Sequence, residues 1–186
     1  AHYFEDLINT IQHKPKQFVE RIKKPNYWNI KDGQEMKFDA VVGNPPYQEE
    51  TNVESKSNGQ TPRKNVFHLF QMMSEKITSN RTVLIYPGIR WMHQSGKGLK
   101  QFGADLINSP NLEKIVFYPN ARELFYNTEI PDGISMVMTN KNKCTNGFVY
   151  AYKENSNEIL LQRDNPGKSL LIINPHDMNI ADKVSK

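Results

Sequence analysis

One cysteine, Cys144, occurs in 186 residues, so no intrachain disulfide can staple this fold. That suits a reducing compartment, and a cytoplasmic location is the expectation. Long apolar runs are missing too, and nothing approaches the about 20 residues of a membrane span. The opening residues Ala1-His2-Tyr3-Phe4-Glu5 lack the apolar stretch of a secretion signal and do not start with Met, as expected of an excised piece of a longer polypeptide. Histidines and carboxylates show neither metal-ligand spacing nor a Ser-His-Asp arrangement. His68 reads as a partly buried structural residue, His93 as a loop residue beside Trp91, and His176-Asp177 as a pair without further ligands. Nothing resembles a nuclease motif. Hydrophobic residues make up 37% and mean hydropathy is −0.69, which predicts one domain with a modest core and long loops. The formal charge is +4, which favours a polyanionic partner.

What is present is concentrated in Phe38-Asp39-Ala40-Val41-Val42-Gly43-Asn44-Pro45-Pro46-Tyr47. Phe38 to Val42 reads as a short apolar strand. Asn44 and Pro45 each precede a proline and are held extended. Each proline fixes its own φ and removes an N–H. The result is a stiff ledge at the carboxyl end of a strand, where open α/β sheets bind ligands. The Asn44 side-chain oxygen and the Pro45 carbonyl are two acceptors a fixed distance apart. Together they suit both hydrogens of an –NH2 group on a planar ring, and Tyr47 can stack on that ring. The bland reading is a proline turn after a buried strand.

Apolar spacing at Phe4, Leu7, Ile8 and Ile11 predicts a helix, broken near Pro15 and resumed by Phe18, Val19 and Ile22. Residues 25–37 read as a polar connection carrying Tyr27 and Trp28. Residues 48–64 hold Val53 as their only aliphatic side chain and read as a mobile loop, either a spacer or a flap that orders on substrate. Asn65 is the expected N-cap of a helix running to about Thr78 along Val66, Leu69, Phe70, Met73 and Ile77. A strand at 82–86, a helix at 97–108 and strands at 115–118 and 134–139 follow. Further strands are expected at 147–152 and 169–174. This order predicts an α/β fold with parallel βαβ units and an antiparallel addition.

Asn44-Pro45-Pro46-Tyr47 resembles motif IV of the amino-methyltransferases that act on adenine N6. Leu84-Ile85-Tyr86-Pro87-Gly88-Ile89-Arg90-Trp91-Met92 resembles the segment after strand five in Eco57I-like restriction-modification enzymes. Gly96-Lys97-Gly98-Leu99-Lys100-Gln101-Phe102 is similar to their glycine-rich helix entry. Glu123 to Ser135 resembles the stretch from the motif VIII aromatic to the following strand. The resemblance covers residues 27 to 142 and implies a partial Rossmann-like methyltransferase sheet, strands four to seven, mixed parallel and antiparallel. It implies that Tyr47 and Phe125 stack on a flipped base, with Tyr126 the alternative to Phe125 and a core aromatic the bland reading. It also implies methyl transfer from S-adenosylmethionine to double-stranded DNA, with Arg90, Lys97 and Lys100 available to phosphates.

The family's glycine-rich cofactor motif does not occur before residue 38. Most of the S-adenosylmethionine site is therefore expected upstream in a longer polypeptide or on another chain, with this piece inactive alone. The expected organisation is a helical segment at 1–26, the carboxyl half of a catalytic domain at 27–146, and a β-rich connector or the start of a target-recognition region at 147–186. Alternative readings are an enzyme acting on cytosine N4, RNA or protein glutamine, and a module that binds without turnover. If 38–42 is the fourth strand, it lies at a sheet edge, expected to self-associate or to be covered by the N-terminal helix.

Overall fold

A computed structural model of the chain describes residues 4–24, 37–50, 63–143 and 145–184. The polar connection at 25–36, the loop tip at 51–62 and Cys144 lie outside the described residues. Helices α1 (Phe4–His13) and α2 (Pro15–Ile22) are separated by Lys14. Pro15 opens α2, where a missing N–H costs nothing, so the proline breaks the run and starts the next one. Ile11, Phe18 and Val19 pack with Ile77 into a small core, joined by Phe38, Val41, Leu69, Phe70 and Met73.

Strand β1 (Phe38–Gly43) is followed by a two-stranded sheet of β2 (Gln48–Glu50) and β3 (Arg63–Asn65). Helix α3 (Phe67–Ile77) leads to β4 (Thr78–Pro87), then the short α4 (Ile89–Met92) and α5 (Lys100–Ile107). The chain continues through β5 (Leu112–Tyr118), β6 (Ile134–Asn140), β7 (Phe148–Glu154), β8 (Asn157–Arg163) and α6 (Pro175–Val184). The main sheet has six strands in the order β1-β4-β6-β5-β7-β8. β1 is parallel to β4, β5 is parallel to β7, and β6 is antiparallel to both β4 and β5. The carboxyl ends of β1, β4, β5 and β7 therefore share one rim. The mixed α/β sheet expected from the sequence is the fold observed.

The core forms where the strands alternate inward. Leu84 and Tyr86 of β4, Ile115 and Phe117 of β5, Val137 of β6 and Tyr150 of β7 meet Trp91, Phe102 and Leu106 of the helices. Polar groups within it are paired. Thr82 and Thr139 hydroxyls lie 2.7 Å apart, the Gln71 amide donates to Thr82 Oγ1 at 3.2 Å, and the Tyr86 hydroxyl donates to Gln71 Oε1 at 3.3 Å. Burial pushes the Tyr86 phenol well above its ordinary range. Such a satisfied network fixes the register of β4 on β6.

Several elements differ from the sequence reading. Asn65 ends β3, and Val66 takes the N-cap of α3 without a side-chain cap bond. The ends of the supposed loop at 48–64 pair antiparallel, Gln48 with Asn65 and Glu50 with Arg63. The helix expected at 97–108 starts at Lys100, because Gly96 and Gly98 take positive φ of 84° and 81°. No strand forms at 169–174. Leu171 and Ile173 are buried there, and the Tyr150 hydroxyl donates to the Ile173 carbonyl at 2.8 Å. That segment is apolar because it packs on the core. The last strand is β8, reached through a two-residue turn with Asn155 and Ser156 at φ 52° and 63°. Positive φ at both central residues is the twist-matched hairpin geometry, hidden here by the lack of glycine. Helix α6 was not anticipated. β1 does lie at the sheet edge, and among the described residues it pairs with β4 alone. The N-terminal helices cover one face of β1 through Phe38 and Val41, while Val42 on the other face is 75% exposed.

Candidate functional site

Asn44 to Tyr47 leave the end of β1 as an extended segment with no helix or ladder of its own. Pro45 is buried, Pro46 and Tyr47 are half-buried, and Asn44 is exposed. The Tyr47 carbonyl accepts the Val66 N–H at 3.0 Å, which seats the ledge on the start of α3. The Tyr47 ring packs against the main core. Its hydroxyl pKa is raised by burial, and a hydrogen bond from the Asn44 side chain works the other way.

Asn44, Pro45, Pro46 and Tyr47 line an open cleft of about 300 Å³ together with Phe125, Thr128 and Ile130. Phe125 comes from the long connection between β5 and β6. Its backbone is held by a 3₁₀ turn at Ala121–Glu123, in which the Leu124 and Phe125 N–H groups both donate to the Ala121 carbonyl. The far end of the connection is fixed to β4, where the Gly88 N–H reaches the Asp132 and Gly133 carbonyls and the Ile89 N–H reaches Asp132. Two glycines make this approach possible. A Cβ at Gly88 would stand 2.6 Å from the Phe117 ring, and one at Gly133, whose φ is +59°, would stand 2.6 Å from the Tyr118 carbonyl oxygen. Phe117 is thereby clamped, and the loop carrying Phe125 is drawn across the rim towards β1. Tyr126, the alternative aromatic, is 88% exposed and lines a neighbouring polar hollow with Asn120, Arg122, Glu123, Asn127 and Glu129.

The candidate cations divide. Arg90 Nε lies 2.9 Å from Asp132 Oδ2, so its guanidinium braces the same connection. Lys97 and Lys100 are exposed at the entry to α5 beyond the carboxyl end of β4. Trp91 next to Arg90 is fully buried, its indole N–H donating to Ser135 Oγ at 3.2 Å. His68 is half-buried beside Phe67 and Phe102, and burial followed by the Lys64 charge lowers its pKa. Its Nδ1 has no hydrogen-bond partner among the described residues. Thr128 and Ile130 were not singled out from sequence, since only the Gly133–β4 contact brings them to the cleft. Among the described residues no group of three or more metal-ligating side chains occurs, and no helix is long and apolar enough to cross a membrane.

No curated protein sequence matches the chain significantly. Solved structures resemble it at low identity. One is a chain of a type I restriction-modification system studied for its assembly and conformational transition, with TM-score 0.47, 13% identity and coverage of 89% of this chain and 44% of that one. Another is a type I restriction-modification methyltransferase subunit from Streptococcus thermophilus, with TM-score 0.46, 16% identity and coverage of 86% and 33%. The chain thus spans less than half the length of the structures it resembles. The family model for Eco57I restriction-modification methylases matches residues 1–125, including the N-terminal helices that no quoted motif reached and ending at Phe125. The chain therefore belongs to the Eco57I restriction-modification methylase family.

Proposed function

We propose that this chain carries the amine-presenting part of a DNA adenine-N6 methylase active site. The observation that supports this best is that Asn44, Pro45, Pro46, Tyr47 and Phe125, elements more than seventy residues apart in sequence, line one cleft at the carboxyl end of β1. In this reading the Asn44 Oδ1 and the Pro45 carbonyl accept the two hydrogens of the adenine amino group. Two acceptors in a rigid frame draw the nitrogen lone pair out of conjugation and make it nucleophilic, an effect largest as the new bond forms. Tyr47 stacks on one face of the base and Phe125 closes the other. The base reaches the cleft only by leaving the duplex stack, because its amino group is shielded there.

S-adenosylmethionine supplies an electrophilic methyl group when bound. The described residues before β1 are two helices without a glycine-rich strand-turn-helix, so they do not form a cradle for it. This chain's contribution is to hold and orient the acceptor, and double-stranded DNA and a cofactor-binding segment are the partners proposed. Exposed Lys97 and Lys100 suit DNA phosphates, whereas Arg90 is committed to Asp132. Residues 1–26, 27–146 and 147–186 remain the proposed division, although β7 and β8 hydrogen-bond into the same sheet as β5.

Replacing Asn44 by Ala tests the reading. In the methylase that carries this chain, turnover should fall at least tenfold, or ~1.4 kcal/mol in the transition state, with DNA binding close to wild type. Retention of more than about a tenth of turnover would sink the assignment.

A further inference from the structure

Glu123 ends the 3₁₀ turn two residues before Phe125 and reaches the tip of the β7–β8 hairpin. Its Oε1 accepts the Asn155 N–H at 3.0 Å and its Oε2 accepts the Ser156 N–H at 3.4 Å. Both donors sit at positive φ, 52° and 63°, in the two-residue turn. Consecutive amides in that conformation point the same way and make a small anion-binding concavity. The turn tip offers them no ladder partner, and a carboxylate is the acceptor that satisfies both with charge assistance.

The rest of the Phe125 loop is bonded mainly to itself. Asn120 Oδ1 accepts the Arg122 N–H at 3.1 Å, the Thr128 N–H donates to the Phe125 carbonyl at 2.9 Å, and Arg122 pairs with Glu129 at 3.3 Å. Its outer end is tied to β4 at Asp132 and Gly133. Glu123 adds an anchor from the opposite side, on a hairpin that hydrogen-bonds to β5. We propose that Glu123 is a positioning residue, which fixes Phe125 across the cleft from Tyr47 by fastening its loop to the β7–β8 turn. The inference rests on the cleft being the base pocket. It gives the hairpin, which lies beyond the family-matched residues, a part in shaping that pocket.

The test compares wild type, E123A, E123Q and E158Q in the methylase that carries this chain. Glu158 pairs with Lys153 on the same hairpin and does not touch the turn amides, so E158Q controls for charge alone. Two quantities are read: hydrogen exchange over residues 121–128, and kcat and KM with unmodified genomic DNA and tritiated S-adenosylmethionine. E123A should speed exchange at Leu124, Phe125 and Thr128 and lower kcat/KM about fivefold, mostly through KM, as loss of a charge-assisted tether implies. E123Q keeps one acceptor oxygen and should fall between, and E158Q should match wild type. Unchanged exchange in E123A overturns the proposal, and so does faster exchange with unchanged kcat/KM. If Asn44→Ala leaves turnover intact, the base-pocket reading fails, and the exchange data alone still show whether Glu123 anchors the loop.

Discussion

Asn44–Tyr47 and the Phe125 loop face the same cleft, but different physics holds each in place. The first wall is stiff within itself, because two consecutive prolines fix the backbone and Tyr47 follows at once. The second wall is a long connection with a 3₁₀ turn and a few internal bonds, and it takes its position from contacts outside itself. It is held by Gly88 and Gly133 around Phe117, by Arg90 on Asp132 and by Glu123 on the hairpin turn. A locally encoded wall tolerates change elsewhere in the chain. A wall held by distant contacts moves when any of them is lost, and so can respond to what binds there.

The largest expected effect comes from striking the clamp of the second wall. Gly133→Ala adds a Cβ 2.6 Å from the Tyr118 carbonyl oxygen at a residue with φ +59°. It should cost about 2–4 kcal/mol in chemical denaturation, from backbone strain plus overpacking. Gly98→Ala is the comparison, with φ +81° but nothing within 4 Å of the new Cβ, and should cost only about 1–2 kcal/mol. Equal losses would show that the close approach at Gly133 is not what holds the loop.

A smaller effect is expected from the aromatic on each wall. Phe125→Ala should reduce kcat/KM about tenfold, as the loss of one stacking face implies, with little change in stability because Phe125 is only half-buried. Tyr47→Ala should lose at least as much activity and also lower the denaturation midpoint, since its ring packs on the main core and partners Asn44. If Phe125→Ala destabilises the fold as much as Tyr47→Ala does, the two walls are not built differently.

The smallest effect concerns pH. Burial and the Lys64 charge depress the folded-state pKa of His68, so the unfolded chain binds its proton first as pH falls. The contribution is full above the ordinary histidine range and is lost as pH falls below about 6.5, with a slope of at most about 1.4 kcal/mol per pH unit. Thermal melts between pH 7.5 and 5.5 should show the decline, and His68→Leu should flatten it. A slope unchanged in His68→Leu would assign the decline to other groups.

Helices α1, α2, α3 and α5, the parallel order of β1 and β4, the antiparallel pairing of β5 with β6 and the ledge were legible because each rests on local pattern. β8 and α6 were not. Ile159, Leu160 and Leu161 blur the alternation in β8, and its turn uses Asn155 and Ser156 where a glycine would have signalled it. The run at 169–174 is as apolar as a strand, yet it serves packing, and periodicity does not separate those two causes.

The sequence by itself determined the ledge: where it begins, that it is rigid, and which acceptors it offers. Proline geometry and the extended bias before proline act over single residues, so no partner is needed to predict them. Only the tertiary structure decided what stands opposite. Thr128 and Ile130 line the cleft beside Phe125, Arg90 braces a loop, and Glu123 reaches a hairpin thirty-two residues away. Each of those outcomes depends on long-range contacts that form only when β5, β6 and β7 are in register, and no local pattern encodes them.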